Sequence, residues 1–527
     1  MENKKICFLL LCALAATSAH GQAARSAKLD LHGTRSWIRV ETDNDQDLSG
    51  ARVYWSKERK KPAQPNAVID QGKSRYYIQK IDPETTYYVW LESETGALLG
   101  KGAANTTKSW ALDSRELREE HTNPSSAAVP KGMEVYWQDE FNDDLLNLNK
   151  WSTNYFSSLN YFNRKSRQEM QEDKLPQPAY TLDGKYINLY VNDTLPKRLY
   201  NEGGNQKVSS IQTYDWRTNE NLLDNSRGGY FEVKVKRNRK GNPKGMNTAF
   251  WFDAPGPDSR YFLQQGTEVE GIKGIRPKGQ VFEIDIFEYI NAQFVLHGHV
   301  NEKGRFQKNL ATHIAEGYNH VNQWVTHGIL WTPTSVKHYI NGNLIKEYTD
   351  KKQIYSPNHF MNVFLGTYGS DGEVNMEVDY IRAYNWPLRD GNELPNPDFE
   401  QIADLGPWEG EGIVQSGIGE KNSKGVILPP GKHIEQYIYL EPNKKHELNY
   451  WAKGEKMEVN IEDVTPVVGD LSTIKKHDRQ LSLKGKKASI NFITGSEIFP
   501  NKKTLRIAFE NTGEKPVYLD NITLKKK

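Results

Sequence analysis

The chain has 527 residues, enough for about three domains at roughly 100–200 residues each. Hydrophobic residues make up 37% and charged residues 26%, a balance that excludes both a membrane-embedded chain and a disordered one. Lys and Arg total 69 against 67 Asp and Glu, and a net charge of +2 excludes electrostatic steering onto nucleic acid.

The first element is a leader. Lys4 and Lys5 precede the apolar run from Ile6 to Ala16, and small residues follow at Thr17, Ser18, Ala19 and Gly21. That is the order of a secretory signal peptide, and the run is too short to cross a bilayer. Residues 1–21 are therefore expected to be removed and the chain exported to the periplasm, the cell surface or the medium. Both cysteines, Cys7 and Cys12, leave with them, which excludes disulfides, thiol catalysis and Cys-ligated metals. The alternative is a lipid anchor at Cys12, but Leu11 stands where a small residue is expected before it. No other apolar run approaches the roughly 20 residues of a membrane span.

From residue 28 onward, short alternating runs broken by Gly, Pro, Asn and Asp predict an all-β protein. Residues 26–108 form a first β-sandwich. Its run Ile81-Asp82-Pro83-Glu84-Thr85-Thr86-Tyr87-Tyr88-Val89-Trp90 resembles the tyrosine-corner segment of fibronectin type III domains, with Tyr87 tying its hydroxyl to nearby backbone. Trp55 fits the core tryptophan of such a sandwich. Residues 109–129 are a linker: the best helical periodicity, Leu112 to Glu120, runs into the Pro/Ser-rich stretch Thr122 to Pro130. A second unit spans 130–387, a polar link 388–394, and a third unit 395–527. The third opens Asn396-Pro397-Asp398-Phe399-Glu400 and closes Val517-Tyr518-Leu519-Asp520-Asn521-Ile522-Thr523-Leu524, ends that resemble the jelly-roll carbohydrate-binding modules appended to polysaccharidases. Its Trp408, Tyr437, Tyr450 and Trp451 are candidates to stack on sugar rings, and some of them must instead fill the core.

The chemistry concentrates in Glu283-Ile284-Asp285-Ile286-Phe287-Glu288, set in a β-branched and aromatic context that reads as a strand. In a regular strand Glu283 and Asp285 share a face and Glu288, five residues on, points the other way. One extra residue in a β-bulge near Ile286–Phe287 restores Glu288 to the face of Glu283. Two glutamates about four strand steps apart, leaning together, approach the roughly 5–5.5 Å of a retaining glycosidase, and the roughly 6.5–9.5 Å of an inverting one stays open. Three carboxyls on one face cannot all ionise, so repulsion raises at least one pKa: one glutamate stays ionised as nucleophile and the other keeps its proton as acid. Spacing alone equally allows an exposed acidic strand or a calcium site.

This hexapeptide resembles the catalytic signature of glycoside hydrolase family 16 in its bulged version. The surrounding chain agrees: Trp137-Gln138-Asp139-Glu140-Phe141-Asn142 with Leu148-Asn149-Lys150-Trp151, Gly229-Tyr230-Phe231-Glu232-Val233, Ala249-Phe250-Trp251-Phe252, Trp331-Thr332-Pro333 with Tyr339-Ile340-Asn341-Gly342, and Met376 to Tyr384 resemble that family's segments in order. The resemblance implies a central concanavalin-like β-jelly-roll sandwich with an open substrate cleft, flanked by the two smaller sandwiches. It implies an endo-acting retaining hydrolase of β-linked polysaccharides, with Glu283 as nucleophile, Asp285 as assisting acid and Glu288 as acid/base. Trp251 is expected to line the cleft. His297 and His299 alternate onto one face of the next strand, and His299 is the candidate cleft histidine; no third ligand at suitable spacing supports a zinc site. Asp379 matches an acid that holds a structural calcium in some members, and no cofactor is otherwise required.

For the substrate, Gly279-Gln280-Val281-Phe282 before the acids, the basic loop Gly271 to Lys278, and Met246-Asn247-Thr248 resemble the agarase and porphyranase branch more than the glucanases. Tyr161 and Arg164 in one loop and Arg276 in another are expected to meet a sulfated red-algal galactan, since planar guanidinium groups suit sulfate. The alternatives are an endo-β-1,3/1,4-glucanase acting on laminarin or lichenan, and a non-catalytic polysaccharide-binding protein, which the intact acids oppose. A polysaccharide is the expected partner of a monomeric chain.

Overall fold

The computed structural model describes residues 29–33, 37–42, 46–82, 84–106, 128–153, 155, 178–195, 207–215, 220–240, 247–253, 268–269, 272–273, 282–289, 292–300, 306–315, 317, 321–350, 353–354, 357, 360–402, 404–464, 476–495 and 502–527. Among them the structure is all-β, with one short 3-10 turn at Glu420–Asn422. No helix of these residues is long and apolar enough to cross a membrane. The leader and most of the linker lie outside the described residues. The chain forms two compact units, Met1–Thr106 and Thr107–Lys527.

The first unit is a sandwich of a three-stranded and a four-stranded antiparallel sheet. Alternation explains it: in Thr86–Glu92, Tyr87, Val89 and Leu91 face the core while their neighbours are more exposed. The Asp82 backbone N–H donates to the Tyr87 hydroxyl at 3.0 Å, pinning the turn before that strand. Trp55 packs half-buried against the core, and Trp37 is the fully buried tryptophan.

The second unit holds two cores. Between residues 137 and 383, one core is sandwiched by two antiparallel sheets. The eight-stranded sheet runs in the order Asn343–Tyr348, Val336–Ile340, Trp324–Trp331, Gly229–Lys240, Glu373–Asn385, Ile187–Val191, Tyr180–Leu182, with Glu134–Asp139 also pairing to Glu373–Asn385. The six-stranded sheet runs Lys207–Gln212, Asn362–Gly369, Asn247–Asp253, Phe282–Glu288, Gln293–Val300, Phe306–Ile314. Phe231, Val233, Ile329 and Ile381 from the first meet Phe250, Phe252, Ile284 and Leu365 from the second. A buried ion pair ties the opening segment down: Arg382 donates to both Glu140 carboxylate oxygens, at 2.7 and 2.9 Å. Asp139 accepts from the Trp151 indole at 2.7 Å and from the Phe141 N–H at 2.9 Å.

The other core gathers residues 394–524 around the long strand Lys445–Asp463, which pairs with Lys476–Ile493, Lys503–Asn511 and Val517–Lys526. Two of the candidate sugar-stacking aromatics are spent here. Trp408 and Tyr450 are buried and pack on Phe509, whereas Tyr437 and Trp451 are half-buried.

Candidate active site

The three acids stand on Phe282–Glu288, the fourth strand of the six-stranded sheet. Along it Ile284 turns into the core while Glu283 and Asp285 turn away. Alternation then breaks, because Ile286 and Phe287 are consecutive and both fully buried in that core. The register slips at the same place on both sides. Against Asn247–Asp253, Asp285 faces Trp251 but Phe287 faces the very next residue, Phe250; against Gln293–Val300, Asp285 faces Val295 and Glu288 faces Gln293. One residue is extra, which is a β-bulge. Each of its two buried side chains contributes roughly 1.5–3 kcal/mol, more than the roughly 0.5–1.5 kcal/mol of a ladder hydrogen bond it disrupts. Phe287 is gripped further, its ring 4.6 Å from the Arg237 guanidinium and 4.4 Å from the His327 ring. Glu288 is thereby returned to the face of Glu283 and Asp285.

The cluster is crowded with negative charge. Burial, then the charges of Asp285 and Asp253, push the Glu283 carboxyl well above the usual carboxylate range. Burial and the Asp285 charge push Glu288 up to about 7, against the opposing effects of an Asn247 hydrogen bond and of His297. Burial pulls the His297 imidazole down, but Asp285, with its Oδ2 3.1 Å from His297 Nε2, together with Asn309 and Glu288, holds it above its ordinary value. The cross-strand register makes this contact, since His297 sits directly opposite Glu283.

Trp251, opposite Asp285, is 6% exposed; its ring stacks on Phe364 at 4.0 Å and its indole donates to the Tyr368 hydroxyl at 3.3 Å. With Tyr155, Val208 and Ala249 these rings form a cluster separate from the main core, on the side of the sheet that carries the acids. Gly366 permits it: a Cβ there would lie 2.4 Å from the Tyr368 hydroxyl oxygen.

The side chain of His299 and all of Tyr161, Arg164 and Arg276 lie outside the described residues. Asp379 faces an ammonium: Lys234 Nζ is 2.8 Å from its Oδ2, and a carboxylate so paired does not fit a calcium site, which takes 6–8 oxygen ligands. Glu283, Asp285 and His297 do bring one ligand atom each within 4.8 Å of one another, although sequence spacing gave no zinc set. Sequence reasoning named His297 but preferred His299, and it passed over Asn247 and Asp253 as site residues. Alternation did mark His297 as sharing a face with His299, while Asn247 and Asp253 carried no local signal for this role.

Residues 223–382 match the family model of the glycosyl hydrolases family 16, so this part of the chain, which contains all three acids, is a domain of that family. Solved structures with a similar chain include a GlcNAcα1-4Gal-releasing endo-β-galactosidase from Clostridium perfringens, at 16% identity over 60% of this chain and 81% of that one, with a TM-score of 0.36. They also include a laminarinase catalytic domain from Thermotoga maritima, at 15% identity over 48% and 99%, TM-score 0.32, and an endo-β-1,3-glucanase from Pyrococcus furiosus, at 17% over 50% and 98%, TM-score 0.32. No curated protein matches the chain in sequence.

Proposed function

We propose that the chain, through its family 16 glycosyl hydrolase domain, is an endo-acting retaining hydrolase of a β-linked polysaccharide. The observation that carries this reading is the bulge at Ile286–Phe287, which sets Glu283, Asp285 and Glu288 on one face, with Glu288 in an environment that raises its pKa as an acid/base requires.

In the first step the Glu283 carboxylate attacks the anomeric carbon, the bond to the leaving oxygen breaks, and Glu288 gives that oxygen its proton. Asp285, on the same face as Glu283 and paired with His297, assists that carboxylate. In the second step Glu288, now ionised, removes a proton from water, whose oxygen attacks the anomeric carbon and displaces Glu283. A glutamate near 7 suits both duties, because its acid and base forms are both well populated near neutral pH.

For the substrate we favour an agar-type red-algal galactan, agarose or porphyran, on the sequence resemblance of Met246-Asn247-Thr248 and the basic loop ahead of the acids. Export by the leader would place the enzyme where such a polymer is met. The test is a panel of agarose, porphyran, κ-carrageenan, laminarin and lichenan, with products sized and their first-formed anomer read by NMR. Short oligomers of retained configuration from a galactan support the whole reading. Products from laminarin or lichenan alone move the substrate to a glucan, inverted products remove the nucleophile, and no hydrolysis of any polymer removes the enzyme. Arg276→Ala should lower kcat/KM on porphyran far more than on agarose if a guanidinium meets sulfate.

A further inference from the structure

We infer that Asn247 is the positioning residue of Glu288, holding one oxygen of its carboxyl group so that the transferable proton resides on the other; this rests on the acid/base role proposed above for Glu288. Asn247 opens the strand Asn247–Asp253, on the face that alternation gives to Ala249, Trp251 and Asp253. Its Nδ2 donates to Glu288 Oε1 at 2.9 Å, and its Oδ1 accepts from the Tyr289 backbone N–H at 2.7 Å.

The two bonds orient one another. A backbone N–H can only donate, so the amide oxygen must face Tyr289 and the amide nitrogen must face Glu288. A donor on Oε1 occupies a lone pair there, which leaves Oε2 as the oxygen that carries the proton to the leaving group and takes it back from water. The second bond fixes the backbone that carries the carboxyl. Tyr289 is a non-glycine residue at φ 56°, where the chain leaves the strand just past the bulge, and its carbonyl is also held by the Arg237 guanidinium. A side chain 41 residues before Glu288 thus locks both the acid and its support. Only an amide of this length does both: an aspartate would accept from Tyr289 but have nothing to donate to Glu288.

Two readouts separate positioning from mere structural support. On polymer, Asn247→Ala should lower kcat by roughly ten- to a hundredfold, within the range general acid catalysis supplies, with little change in KM. The ionised form of Glu288 loses a donor, so the basic limb of the pH profile should move to higher pH, and further still for Asn247→Asp, which adds a charge. On an aryl glycoside with a highly acidic phenol as leaving group, which needs little protonation, the first step should stay within about threefold of the unsubstituted enzyme. Thermal melting confirms that each variant folds; should Asn247→Ala melt early, Asn247→Asp, which keeps the Tyr289 bond, carries the test. Equal losses on polymer and activated substrate with an unmoved basic limb would overturn the inference. The prior reading has its own control: if Glu288→Gln keeps full activity on polymer, the acid/base assignment falls instead, whatever Asn247→Ala does.

Discussion

His297 and Asp285, twelve residues apart in the chain, meet at 3.1 Å across neighbouring strands, and the imidazole, once protonated, gives the acid cluster a counter-charge. Together with Glu283 they are spaced closely enough to ligate a cation. Against the pull of burial, Asp285 and its neighbours hold the His297 imidazole above its ordinary pKa, so the ring itself can balance that charge. Exhaustive dialysis against EDTA is therefore expected to leave hydrolysis unchanged. A loss of tenfold or more, about 1.4 kcal/mol in the barrier, that added calcium or zinc restores would show that the cluster holds a metal.

The two glutamates should be told apart by chemical rescue. Glu283→Ala and Glu288→Ala are each expected to lower turnover by several orders of magnitude. Azide should revive both. In Glu283→Ala it attacks the anomeric carbon from the vacated side and yields a glycosyl azide of inverted configuration; in Glu288→Ala it replaces water in the second step and yields the retained azide. NMR of the two products checks the assignment, and swapped configurations would reverse it.

Glu288 also sets a stability cost that depends on pH. Its pKa is raised from 4.5 to about 7 in the fold, so its favourable contribution is complete below about pH 4.5 and is lost as pH rises through about 7. Glu288→Gln, which cannot ionise, should melt at the same temperature as the parent chain at pH 4 and several degrees higher at pH 8.5. The full shift corresponds to about 3 kcal/mol at most. Melting curves that stay parallel across this range would mean that the carboxyl is no worse off in the fold than in water.

The pair Arg382 and Glu140 is almost entirely removed from solvent. Breaking it leaves a buried carboxylate, so Arg382→Met should cost roughly 3–5 kcal/mol in denaturant unfolding. Arg382→Met with Glu140→Leu should recover most of that loss, because two apolar side chains need no partner. A single variant of near-parental stability would mean that water already reaches Glu140.

The acids, and even their bulge, were legible in the sequence because side-chain direction in a strand has a period of two. Five steps from Glu283 to Glu288 violate that period, and only one extra residue repairs it. The Tyr87 anchor and the Asp139–Trp151 segment were equally local, set by residues close in the chain. What surrounds the acids was not. Asn247 and Asp253 come from 41 and 30 residues upstream of their glutamates, and His297 meets Asp285 because cross-strand register, fixed by core packing, sets it opposite Glu283. The same register stacks Trp251 on Phe364, buries Trp408 and Tyr450, and gives Asp379 to Lys234. Period determines which way a side chain points; only the alignment of strands distant in sequence determines what it meets, and so which carboxyl holds a proton.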